Sequence, residues 1–246
     1  MERLRKCLRL ELSRTLYNAA VFTCFYIGFS ILFIVTSLFL PKNGYVNYYY
    51  FVVAVIYVLI ITTLLCRMFF QTLLQFSNTR GTIFGAHALN FTLLSALLAL
   101  LSVLSDRLNP WLAARMGFRT DVYMAALYPG ASQTSAAGFF EWLLFYFSVL
   151  LVLSSLALLY GNLLYKFGKW FAMFFWMIFG SLCGLATTLL MQLCETQLAA
   201  ALKGFFAYGQ KDGIVLASLH LLPAAVVFGA LAWLLMRRQE QKTGDA

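Results

Sequence analysis

The sequence predicts an all-α integral membrane protein: six transmembrane helices, an amphipathic N-terminal helix at the membrane interface, and both termini in the cytoplasm. Three observations predict it. Of the 246 residues, 62% are hydrophobic and 11% charged, with a mean hydropathy of +0.82, whereas a soluble domain carries roughly 25% charged residues. Six apolar runs, Ala19–Leu40, Tyr49–Cys66, Ala88–Ser105, Phe139–Tyr160, Trp170–Met191 and Ile214–Met236, approach the roughly 20 residues that a helix needs to cross hydrocarbon. The basic residues are also asymmetric. With the N-terminus inside, inner segments hold Arg3, Arg5, Lys6, Arg9, Arg14, Arg67, Arg80, Lys166, Lys169, Arg237, Arg238 and Lys242, twelve of the eighteen, as the positive-inside rule requires.

The runs are continuous and lack the period-2 alternation of barrel strands, which excludes a β-barrel. They leave little sequence over, so residues 1–246 form a single transmembrane domain with no room for a soluble catalytic one. The net charge of +9 reads as a topology signal with affinity for anionic lipid headgroups, not as a nucleic-acid surface.

Residues 1–16, MERLRKCLRLELSRTL, place Leu4, Leu8, Leu12 and Leu16 at i+4 spacing among basic residues, the pattern of a helix lying in the interface. A cleaved signal peptide is the competing reading. The long apolar run that follows, ending in LPKNG without a small-residue cleavage site, argues against it. Asn43-Gly44 marks a short outer turn, and Tyr45, Tyr48, Tyr49 and Tyr50 cluster at headgroup level. The first two spans therefore form an antiparallel hairpin.

Between the second and third runs lies a polar island, Arg67 to His87, which reads as a cytoplasmic loop, 67–87. Phe69, Leu73 and Phe76 continue a helix. Ser77-Asn78-Thr79-Arg80-Gly81 then breaks it, with Asn78 or Thr79 able to cap a new one. The expected shape is a short helix lying across the inner surface and exposing polar groups and one cation. A merely solvated turn would have the same composition.

Asp106–Gly138 reads as the longest loop, on the outer side. Glu141 opens the fourth span near the outer boundary, where it still reaches water. YGNLLYKFGKW is a short basic inner turn, and Gly180 and Gly184 allow close helix approach in the fifth span. Cys194–Tyr208 reads as short re-entrant or interfacial helices, and Pro223 as a kink in the sixth span.

The chemistry-bearing patterns are few. Cys7, Cys24, Cys66, Cys183 and Cys194 show no C-x-x-C or zinc spacing, and His87 and His220 have no His or carboxylate at i+3 or i+4. No metal and no bound cofactor is expected. The chain has no GxxxxGK[ST] and so does not hydrolyse ATP itself. Acids are absent from the span centres, which argues against ion coupling. Ser132 in GAS and His220 resemble parts of a rhomboid intramembrane protease. However, the stretch is GASQ, Ser132 lies before the fourth span, and His87-Ala-Leu-Asn90 is one residue short of HxxxN.

In its order of elements the whole chain resembles the ABC-2-type permeases, membrane subunits of bacterial ATP-driven exporters. The interfacial helix Met1–Thr15, the six runs, the loop Gln75–Phe84 and the segment Cys194–Tyr208 stand where that family has corresponding parts. LLQFSNTRGTIF is similar to the coupling stretch of its small members. It keeps Thr79, Arg80 and Phe84 but has Ser77-Asn78 where Gly and an aliphatic residue are usual, and LLYGNLLYKFGKW is similar to the family's basic turn. The resemblance implies a non-enzymatic permease of the bacterial inner membrane that pairs with a second permease subunit and docks a separate ABC ATPase. That ATPase would carry the ATP and Mg. The resemblance further implies that the ATPase grips Gln75, Phe76, Ser77, Asn78, Thr79, Arg80, Thr82, Ile83 and Phe84, and that the cargo is a peptide, drug or lipid-like molecule, as in antimicrobial-peptide resistance. The competing class is a non-transporting membrane sensor or assembly scaffold.

Overall fold

Long apolar runs with few helix breakers leave the backbone one way to satisfy its N–H and C=O groups without water, the i to i−4 ladder. The computed structural model describes residues 2–37, 50–75, 79–116, 135–192, 204–205 and 213–237, and among them there is no strand. We name the helices α1 (Glu2–Ser37), α2 (Tyr50–Gln75), α3 (Arg80–Met116), α4 (Ala136–Gln192) and α5 (Gly213–Arg237). Among the described residues, three stretches are long and apolar enough to cross a membrane: Arg80–Trp111, Ala136–Gly168 and Gly213–Arg237. The chain is thus an all-helical protein of membrane-embedded character.

Side-chain contacts fix the helix directions. Tyr50 of α2 meets Thr23 and Tyr26 of α1, and Tyr57, two turns on, stacks on Phe22, so α1 and α2 run antiparallel as the hairpin reading expects. Glu11 faces His87 and Thr15 faces Asn90, one turn later on both helices, so α1 and α3 are parallel. Asp106 bonds Tyr146 while Ser95 bonds Ser154, which makes α3 and the first arm of α4 antiparallel. Arg80 and Phe84 at the start of α3 meet Arg237 and Trp233 at the end of α5. One end of the bundle therefore gathers the start of α3, the N-terminal third of α1 and the end of α5.

The outward faces are as apolar as the core. Val52, Ile56, Ile60 and Leu64 form an exposed i+4 stripe on α2, and Leu89, Leu93, Leu100 and Leu104 one on α3. On a water-soluble monomer, such patches would mark an interaction surface; here they suit lipid tails. Since lipid is as apolar as leucine, burial alone cannot hold such helices together, and close packing with interhelical hydrogen bonds does. The α3 face that turns inward is accordingly small and hydroxylated: Ser95, Ala99 and Ser102 are fully buried, and Ser95 Oγ lies 3.0 Å from Ser154 Oγ. Isolated hydroxyls bond one turn back along their own helix, as in Thr92 to Ala88 O, Ser102 to Leu98 O and Ser218 to Ile214 O, which removes the cost of an orphan polar group.

The helix ends differ from the hydropathy boundaries. Residues 2–16 and the first apolar run as far as Ser37 form one unbroken helix rather than two separate elements. Asp106 does not begin a loop. It accepts the Tyr146 hydroxyl, Arg107 donates to Ser135 O at 3.1 Å and lies over the Phe139 ring, and α3 continues through Pro110 to Met116. The basic turn YGNLLYKFGKW is also helical, reversing its geometry only at Gly168, where φ is 76° and ψ −163°. Pro223 sits inside the continuous α5. The expected turn at Pro41–Asn47, Ser132, and all of the expected re-entrant segment but Gly204 and Phe205, lie outside the described residues.

Candidate functional site

The island that the sequence singles out contributes to two helices instead of forming a third. Its apolar i+4 spacing carries α2 to Gln75, and α3 opens at Arg80, so Arg80, Thr82, Ile83 and Phe84 are the first turn of α3. The expected crosswise helix is not formed by these residues. Phe76, Ser77 and Asn78 lie outside the described ones.

Thr79 is the N-cap. Its hydroxyl accepts the Thr82 backbone N–H at 3.3 Å and lies 2.8 Å from the Thr82 hydroxyl, while Ile83 N–H reaches Thr79 O at 3.1 Å. These bonds satisfy donors that a helix start leaves open. Ile83 is fully buried and so is a core residue, not a surface one. Phe84 packs its ring 5.1 Å from that of Trp233, and a Cβ added at Gly81 would lie 3.6 Å from the same indole.

Arg80 is half-buried, and its Nη1 donates to the main-chain carbonyl of Arg237 at 2.7 Å. That carbonyl belongs to the last turn of α5, where C=O groups lack helical partners and the helix dipole is negative. The island's cation is therefore a cap on the last helix, a charge-assisted bond between residues 157 apart in sequence. Arg80 and Phe84 thus join the first turn of α3 to the end of α5.

Behind this end lies a polar cluster that the sequence reading missed. His87 Nδ1 is 2.9 Å from Glu11 Oε1, with both side chains about 1% exposed. Asn90 Nδ2 donates to Thr15 Oγ1 at 2.9 Å, and Thr15 in turn donates to Glu11 O at 2.9 Å. Glu11 and Thr15 are four apart on α1, His87 and Asn90 three apart on α3, so each pair forms a stripe and the stripes face one another. Cys7 is buried a turn before Glu11, and burial, followed by the Glu11 charge, raises its thiol pKa above the ordinary value, which keeps it unreactive. His220, the other histidine, is half-buried and places Nδ1 2.7 Å from Phe205 O.

Among the described residues there is no group of three or more His, Cys, Asp and Glu side chains able to hold a metal ion. What these residues offer is mechanical coupling between helix ends and a buried ionisable pair. Comparison with protein-family models, curated proteins and solved structures finds no match to the chain.

Proposed function

We propose that the chain is the permease subunit of an ATP-driven exporter of the ABC-2 type, a six-span protein of the bacterial inner membrane with cytoplasmic termini. It pairs with a second permease subunit and is worked by a separate ATPase that holds ATP and Mg. Its cargo is a peptide, drug or lipid-like molecule.

The observation that carries this reading is the tie between Arg80 and the end of α5. A loop that only joined two spans would need no contact with the last helix. Here the first turn of α3, next to the link from α2, is bonded and packed to the end of α5, so one external grip moves both helices together. Residues Gln75–Phe84 receive the ATPase on this reading. Thr79 is exposed there, and Arg80 transmits the displacement to α5 instead of serving as a bare charged anchor. Closure of the ATPases tilts α3 and α5 together and alternates access between the two sides. This is a rigid-body use of a packed interface, which responds by switching between arrangements.

Arg80→Glu tests it. The substitution removes one partly solvated hydrogen bond and places an anion beside a helix C-terminus, a loss of about 1 kcal/mol that the fold tolerates. Stimulation of the partner ATPase by the reconstituted permease is expected to fall about tenfold, within the usual range of coupling energies. Full stimulation by a folded Arg80→Glu chain would remove Arg80 from the coupling path.

A further inference from the structure

Glu11 and His87 meet in a place where neither tolerates a lone charge. Both are sequestered between α1 and α3. Although Nδ1 and Oε1 approach to 2.9 Å, both carboxylate oxygens, both ring nitrogens and Asn90 Oδ1 have no hydrogen-bond partner among the described residues. Five polar atoms of three buried side chains on these two helices thus find no hydrogen-bond partner among the described residues. Burying an isolated carboxylate or imidazolium is costly, while a pair of zero net charge avoids most of that cost. Zero net charge requires one proton for the two residues. It resides on Nδ1 opposite a carboxylate or on Oε1 opposite a neutral imidazole, and shifting it between these positions changes no total charge.

We propose that Glu11 and His87 form a buried site that binds one proton, and that its occupancy holds α1 against α3. Loss of the proton leaves a net negative charge in the contact, and gain of a second leaves a net positive one. Either state weakens the α1–α3 contact, so the site is a proton-dependent clasp one to two turns from the end where α3 meets α5.

Among the described residues, the charged groups around the pair lie at the surface. The α1 cations Lys6, Arg9 and Arg14 are exposed, and Cys7 is the buried titratable neighbour on that helix. On α3 the next cation is Arg80, committed to Arg237 O. The described side chains of α2, residues 50–64, bring only Tyr50 and Tyr57 as titratable groups, and toward the same end α4 brings Tyr165 and exposed Lys166 and α5 exposed Arg237. The site stands whatever the chain transports, since its basis is the Glu11–His87 geometry and not the island.

The test is the pH profile of the apparent melting midpoint of the full chain in lipid nanodiscs, for wild type, Glu11→Gln, His87→Gln and the double variant, between about pH 5 and 8. Each single variant is expected to melt roughly 10 °C below wild type, since it strands one buried ionisable partner. Their slopes must be opposite. Glu11→Gln leaves a histidine whose charged form has no counter-charge, so stability falls as pH is lowered; His87→Gln leaves a carboxylate without one, so stability falls as pH is raised. The double variant is expected to recover part of the loss and to lie flat where the single variants slope. Parallel slopes in the two single variants, or a double variant with the wild-type profile, would overturn the site. So would a wild-type midpoint that responds to sodium or potassium at fixed pH, which would make the ligand a metal cation. If a single variant does not fold, the comparison of wild type with the double variant alone decides, because a proton site predicts the loss of pH dependence.

Discussion

Gly168→Val is expected to cost about 3 kcal/mol, and Gly168→Ala about 2, because the φ/ψ pair at this position is essentially confined to glycine. The backbone alone causes the loss. A Cβ built at Gly168 meets nothing within 4 Å, yet φ is +76° and ψ −163°, a region in which a side chain collides with its own main chain. Asn rescues nothing, since the left-handed helical conformation that it tolerates has ψ near +50°. The bend is required by length. The 57 residues of α4, kept straight at about 1.5 Å each, would run about 85 Å against a hydrocarbon layer of about 30 Å. Loss of the monodisperse species on heating in mild detergent measures the effect. A Gly168→Val chain as stable as wild type would show that the two arms of α4 do not depend on this conformation.

Tyr146→Phe is expected to destabilise the bundle by about 2 kcal/mol, the scale of a buried hydrogen bond to a charged group. Tyr146 is fully buried and donates its hydroxyl to Asp106, while its ring stacks on Phe51 at a centroid distance of 4.4 Å. Phenylalanine keeps that stacking and removes only the O–H, so the carboxylate of Asp106 loses its donor. Asp106→Asn keeps an acceptor and is expected to cost less, about 1 kcal/mol. The Asp106→Leu/Tyr146→Phe pair, with both polar groups gone, is expected to lie above the sum of its single variants. Additivity in that cycle, read from the same melting measurement, would mean that the two groups do not act as a pair.

Hydropathy made the helices legible, but not their ends. It measures which residues dissolve in hydrocarbon, so it marks Ala88–Ser105, whereas the hydrogen-bonded ladder of α3 runs from Arg80 to Met116. The extra turns persist because their polar groups find partners on other helices: Arg80 on Arg237 O, Asp106 on Tyr146, Arg107 on Ser135 O. Those partners are a carbonyl oxygen, a tyrosine hydroxyl and another carbonyl, none of which a residue pattern announces. The polar island was legible as a special place, since Thr79 and Arg80 stand out in so apolar a chain. Its role as a cap on α5 was not, because the partner is backbone 157 residues away.

The Glu11–His87 pair shows the same limit more sharply. Each helix carries its stripe in plain sight, Glu11 with Thr15 and His87 with Asn90, but a search for partners at i+3 and i+4 cannot find a carboxylate on another helix. Glu11 also sits inside a segment whose basic residues and i+4 leucines suggest an interfacial helix, where an acid would be a solvated group. The parallel packing of α1 on α3 turns it inward instead. The buried acid Glu11 lies just before the first apolar run, at a position that hydropathy assigns to the surface.

The most direct test of the account is affinity purification of the chain from its native membrane in mild detergent, with the co-eluting proteins identified. A permease subunit brings with it a stoichiometric ATPase bearing a phosphate-binding loop, retained by the wild-type chain and weakened when residues 79–84 are replaced. A chain that elutes without any ATPase would contradict the proposed function, reduce Thr79–Phe84 to a well-capped connection between two helices, and leave a membrane sensor or assembly scaffold as the reading to pursue.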